Sequence, residues 1–283
     1  MSKLFSGLEA FGLGNLEKMD IYEEDKEKTS GDGAVKQEKK EVSEADVLFD
    51  KTYVCPVCDT EFQSKMIRVG KVKLLSADTD LRPKYQSVDS LKYDALVCPK
   101  CGYAALSRFF NFMLPAQAKL IKDHISSTFK GIEIKGDYYT YDEAIARHKL
   151  ALACTVVKKA KISERAYTCL KLGWLYRGKA ESLPKDMENR DAEVKKLTEE
   201  ELELLDNAYE GFTQAYLKED FPMCGMDEIS VTYLVADLAR RTGRYDEANR
   251  WISKVLTSRN ANERIKNKAR DIKELLQKES GKA

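Results

Sequence analysis

Four cysteines stand in two pairs of matched spacing, Cys55-Pro56-Val57-Cys58 and Cys98-Pro99-Lys100-Cys101-Gly102. Two residues between cysteines fold the chain so that both sulfurs, and backbone amides aimed at them, face one point. Four thiolates presented this way make a closed tetrahedral site for a borderline-soft dication, and zinc is the expected metal. Proline after the first cysteine fixes φ, and Gly102 after the second pair permits a positive φ. Asp59 takes the glycine position of the first pair and also tolerates that geometry. The cysteine spacing alone leaves iron open beside zinc, because iron–sulfur and rubredoxin-type sites use similar knuckles. A thioredoxin-like redox site needs one pair at a helix start in a βαβ setting, which the surrounding pattern does not supply.

The other chemistry-bearing residues are sparse. The chain has two histidines, His124 and His148, and both fall in helical stretches where packing or surface roles are expected. With four cysteines at hand, the metal site reads as saturated and structural rather than catalytic. Asp78-x-Asp80 lies between the pairs, with Arg68, Lys73, Arg82, Tyr85 and Tyr93 nearby in sequence. It admits a polar patch beside the metal, but turn chemistry with solvated hairpin faces is the expected role. Cys154, Cys169 and Cys224 read as small buried residues. The run from Phe109 to Leu114 could be an aromatic platform, though packing of the cysteine module onto the first helix is expected.

The elements that must position these residues follow from composition and period. The chain has 283 residues, 34% charged and 43% hydrophobic, with net charge +1. That balance offers no overall field for nucleic acid or anionic lipid. No apolar run approaches the roughly 20 residues of a membrane span, and Met1 to Gly7 lacks a secretory pattern. A cytoplasmic location is therefore expected, with thiols kept reduced. Residues 1–48 hold 7 Lys/Arg against 12 Asp/Glu and read as an acidic, flexible leader. Its first 22 residues carry a loosely helical apolar pattern interrupted by Gly7, Gly12 and Gly14. Residues 49–114 form the cysteine module, with strands expected at 66–69, 72–75 and 95–97. The 39 residues between Cys58 and Cys98 exceed the about 15–20 of simple ribbons, and predict a hairpin with a long loop from Ser76 to Leu91.

Residues 115–283 have a helical period and an internal repeat: Tyr141-Asp142-Glu143-Ala144 returns as Tyr245-Asp246-Glu247-Ala248. Leu172-Gly173-x-x-Tyr176 and Ala208-x3-Phe212-x-x-Ala215 add the L-G-x2-Y and A-x3-F signatures of tetratricopeptide repeats. Ala144, Ala208 and Ala248 are separated by 64 and 40 residues. Against a period of about 34, this implies insertions in a charged loop near 178–199 and at 221–226. Residues 260–279 supply a closing helix. The expected fold class is α+β, a small β-rich zinc-ribbon-like module followed by an all-α tetratricopeptide-like array.

Taken together, the first knuckle, a hairpin insert with Asp78-x-Asp80, the second knuckle through Ala105 and the degenerate repeat-like helices resemble domain-of-unknown-function family 2225, a bacterial family. The resemblance spans about residues 50–258. It implies a cytoplasmic bacterial protein with the paired cysteines as metal ligands and no assigned activity. The expected function is non-enzymatic: a scaffold that takes a protein or peptide partner in its helical groove. The alternative is a nucleic-acid-associated zinc-ribbon factor, resting on Lys71, Lys73, Arg82 and Lys84. An enzyme using Asp78 and Asp80 with a second metal is the third possibility, and no nucleophile–base pair or phosphate loop supports it.

Overall fold

The computed structural model describes residues 43–132 and 136–281; the leader expected over 1–48 lies outside it except for its last residues, as does its apolar segment. The fold class is α+β, as expected. Among the described residues, the first part holds three separate two-stranded antiparallel hairpins. β1 (Leu48–Val54) pairs with β2 (Glu61–Ile67), β3 (Leu74–Ala77) with β4 (Pro83–Tyr85), and β5 (Ala95–Val97) with β6 (Ala104–Leu106).

Alternation explains β2. Phe62 and Ser64 point inward while Glu61 and Gln63 face solvent, the period of a half-buried strand. β5 and β6 are buried throughout, as continuous short apolar runs require. The structure corrects the expected long loop at 76–91. Residues 74–85 themselves form the second hairpin, and residues 90–93 form a short 3-10 turn.

The second part is helical: α1 (Pro115–Ile121, running into a π-turn at 122–126), α2 (Tyr141–Val157), α3 (Ile162–Ser182), α4 (Arg190–Lys218), α5 (Glu228–Arg241), α6 (Tyr245–Thr257) and α7 (Glu263–Ser280). The repeated Tyr-Asp-Glu-Ala segment opens both α2 and α6, placing acidic residues where the helix dipole favours them. Thr140 and Glu143 form a reciprocal capping box at the start of α2. Asp227 and Asn262 cap α5 and α7 with a single bond each, accepting from an amide of the first turn.

The charged insert expected near 178–199 is not a loop. α3 continues to Ser182 and α4 begins at Arg190, so only residues 183–189 lie outside helices. The charged run still has a helical stripe, with Leu197, Glu201 and Leu205 buried every four residues. The expected break at 221–226 does separate α4 from α5.

Helices α2 to α7 pack successively over one core. Ala144, Ala208 and Ala248 are wholly buried in it. α3 and α4 approach closely at small residues: a Cβ on Gly211 would sit 2.7 Å from that of Ala166. A second core surrounds the cysteine pairs and includes Ala151 and Cys154 of α2. α2 thus contributes Ala144 and Ile145 to one core and Ala151 and Cys154 to the other.

Candidate metal centre and the Asp78–Arg82 turn

Each cysteine pair forms the turn of a hairpin, and the two turns share one hydrogen-bond pattern. In the first, the Cys55 amide donates to Thr60 O (3.0 Å) and the Asp59 amide to Cys55 O (2.9 Å). In the second, the Cys98 amide donates to Tyr103 O (2.9 Å) and the Gly102 amide to Cys98 O (3.0 Å). Asp59 and Gly102 occupy equivalent positions with φ of 55° and 72°, as their residue types predict. Amides of Val57 and Cys58 point at the Cys55 sulfur, and those of Lys100 and Cys101 at the Cys98 sulfur. Such N–H groups favour the thiolate over the thiol.

The turns bring all four sulfurs within 4.8 Å of one another. Cys55 and Cys101 Sγ are 3.5 Å apart, and Cys58 and Cys98 Sγ are 3.6 Å apart. A tetrahedral ion with metal–sulfur bonds of about 2.3 Å requires sulfur spacings of about 3.8 Å, so the set matches a four-thiolate centre. Cys55, Cys98 and Cys101 are buried and Cys58 is half-buried. Packed this closely, the thiols cannot all ionise without a cation. The close Cys55–Cys101 contact pushes Cys101 down to about 5 and Cys55 up. Burial pushes Cys98 up to about 11. A bound dication would remove this conflict by neutralising the thiolates.

The second core holds the centre in place. Phe110 is fully buried and packs against the rings of Tyr53, Phe62 and Tyr103. The Phe109–Leu114 run therefore splits, with Phe110 beneath the knuckles and Phe112 and Leu114 exposed. From α2, the Cys154 thiol accepts from the Ala104 amide (3.4 Å) and donates to Gly102 O (3.7 Å). Gly102 also lies under the Phe129 ring. Cys154 is thus a prop behind the second knuckle, a role its place in the sequence offers no reason to expect.

His124 is exposed on the π-turn. His148 is buried, and its Nδ1 lies 2.8 Å from Ala144 O. Neither histidine joins the metal-ligating group found among the described residues.

The expectation for Asp78 and Asp80 needs correction. Asp80 has no exposed surface and Arg82 is 4% exposed, so the turn between β3 and β4 is not a solvated hairpin tip. It docks on the helices. Arg177 of α3 donates to both Asp80 oxygens (2.5 and 3.1 Å) and to Asp78 (2.9 Å). The Trp174 indole donates to Asp80 at 2.9 Å, and Arg241 of α5 lies 3.5 Å from it. Tyr233 Oη donates to the Thr79 carbonyl (2.8 Å) and Arg241 to the Thr79 hydroxyl (2.9 Å). Burial alone would raise the Asp80 carboxyl, but Arg177, then Arg241 and Trp174, hold it below the ordinary range. None of the helical partners was identified from sequence. The available signal was the Trp174, Arg177, Glu181 spacing, which lines one face of α3.

The basic residues near this turn are also committed. Arg82 pairs with Glu181 (3.0 Å), and Lys84 pairs with Asp78 (3.0 Å). Lys71 and Lys73 alone of the four are exposed.

The fold and site define an α+β protein with a four-cysteine centre that could hold a metal ion. Residues 48–276 match a family described as an uncharacterized protein conserved in bacteria, domain-of-unknown-function family 2225, and the chain belongs to it. No curated protein and no solved structure matches the chain. No helix among the described residues is long and apolar enough to cross a membrane.

Proposed function

We propose that this protein is a non-enzymatic interaction scaffold with one structural zinc ion per chain. The supporting observation is the saturated, largely buried four-cysteine centre. A catalytic zinc keeps a position open for water or substrate, commonly among histidine and carboxylate ligands, and these cysteines provide a full set without either. Zinc, when bound, would act as a cross-link between the β1–β2 and β5–β6 turns. Cys55, Cys58, Cys98 and Cys101 would hold it, while the knuckle amides and Cys154 fix their orientation.

The helices supply the interaction surface. α2 to α7 read as a degenerate tetratricopeptide-like array, favoured by the small residues at close helix contacts and by the repeated opening of α2 and α6. Such arrays present one face built from alternate helices to protein or peptide partners. A nucleic-acid role is less favoured, because Arg82 and Lys84 are engaged in ion pairs.

Two measurements on protein purified from its native cell test the proposal together. Elemental analysis should find one zinc per chain, with little iron. Affinity capture with mass spectrometry should return a specific protein partner that helix-surface charge reversals abolish. Iron in place of zinc, or capture that returns nothing beyond background, would overturn it.

A further inference from the structure

We infer that the Asp78–Arg82 turn is an internal ligand, a displaceable plug on a face that reads acidic Asp-x-Asp turns in partner proteins. The inference rests on the scaffold reading and names the chemistry of the partner.

The contacts to the turn are those by which a receptor reads a short acidic segment. Arg177 takes two carboxylates, the Trp174 indole and Arg241 share one of them, and Tyr233 takes a backbone carbonyl. The side chains come from α3 and α5, which are alternate helices. The Arg240–Glu279 pair (2.6 Å) carries the same face on to α7. Main-chain and carboxylate recognition of this kind requires only two acidic residues flanking one position in a turn.

Three observations mark the contact as exchangeable. First, the arginines of the helical face keep acidic partners when the turn leaves, although the Arg82–Glu181 pair and the Trp174–Asp80 hydrogen bond are given up. Arg177 keeps Glu201 (2.7 Å), Arg240 keeps Asp237 (2.8 Å) and Glu279, and Arg241 keeps Asp237 (2.9 Å). On the turn, Asp78 keeps Lys84, and Asp80 moves into water, where a lone carboxylate has no desolvation penalty. Second, the hairpin joins no larger sheet. β3 is exposed along its whole length, including Leu74 and Leu75, and isolated two-strand hairpins are marginal. Third, Leu81 is held at φ of 70°, a left-handed conformation that a leucine leaves readily once released. A buried structural hairpin would be expected to lack all three features.

The tethered turn competes as a ligand of high effective concentration, on the order of millimolar for a short connection, so partners bind weakly until it is loosened. The test uses a fluorescent peptide of residues 76–83, Ser-Ala-Asp-Thr-Asp-Leu-Arg-Pro, titrated by anisotropy against the full metal-loaded chain. The Asp78→Asn/Asp80→Asn variant should bind it at least tenfold more tightly than the wild type. Adding Arg177→Ala to that variant should remove binding, and a peptide with both aspartates changed to asparagine should not bind. Hydrogen exchange on the wild-type chain gives an independent reading if the variant does not fold. The Asp78 and Leu81 amides, which close the turn, should exchange at least tenfold faster than the α3 and α5 cores, and faster still with excess peptide.

No binding to the folded variant, equal affinity for both chains, or turn amides that exchange only with global unfolding would overturn the plug. If the plug falls while affinity capture still returns a partner, the scaffold proposal stands. Peptide binding without any captured partner would remove the scaffold proposal instead.

Discussion

Gly102 carries two constraints at once. It sits at φ of 72°, and a Cβ there would lie 2.6 Å from the Phe129 ring. Gly102→Ala combines left-handed strain with overpacking, and should cost about 2–4 kcal/mol. Asp59→Gly, at the equivalent position of the first knuckle, relieves strain and should be neutral or slightly stabilising. Urea midpoints of the two variants check the contrast. His148 carries a different signature. Burial pushes it down to about 4, against the pull of nearby Asp94. The unfolded chain takes up this proton near pH 6.5, but the native chain resists until about pH 4. The native state therefore keeps its full His148-dependent stability above pH 6.5 and loses it as pH falls towards 4, by roughly 3 kcal/mol in all. A pH series of unfolding free energies should show this slope, and His148→Gln should flatten it.

Among the elements, the α3–α4 contact is sensitive to volume. Alanine normally stabilises a helix over glycine by about 1 kcal/mol. At Gly211 the new Cβ would meet the fixed Cβ of Ala166 at 2.7 Å, and overpacking costs about 1–3 kcal/mol. The steric cost wins, so Gly211→Ala should lower the melting temperature, whereas alanine at an exposed helical site would raise it. The sequence made the helical period and the two knuckles legible, because both depend on neighbours a few positions apart. The docking of the Asp78–Arg82 turn is illegible in the sequence for the opposite reason. Its partners lie about a hundred residues away or more, and nothing local distinguishes an aspartate in a solvated turn from one buried against Arg177. The charged stretch 178–199 reads as a loop because its composition outweighs the Leu197–Glu201–Leu205 stripe.

At the scale of the whole molecule, α2 makes the cysteine centre and the helices interdependent. If the four cysteines hold a metal ion, its removal would leave four crowded thiols, and the second core, which includes Ala151 and Cys154, would lose its organising point. A strong chelator should therefore unfold the β1–β2 and β5–β6 hairpins and also loosen α2, seen as faster amide exchange over residues 141–157. Helices α5 to α7, in the other core, should change much less. Metal re-addition under reducing conditions should restore protection in α2. Circular dichroism that shows no helical change on chelation would place the two cores in separate cooperative units. This dependence is hidden in the sequence, where Cys154 is one more small residue on an amphipathic helix.

The hydrogen bond from Arg241 to Thr79 joins residues 162 positions apart. At synthesis rates of about 5–20 residues per second, the turn leaves the ribosome roughly 8–30 s before its last helical partner does. Until Arg177 emerges, early in that interval, Asp80 has no partner from the helices, and both cysteine knuckles are completed long before Arg241 emerges. If the cysteines bind a metal ion, its capture can thus precede docking of the turn. A chain stalled between these events would present a complete four-cysteine set and an open acidic turn, a species that ribosome-bound intermediates truncated near residue 170 would isolate.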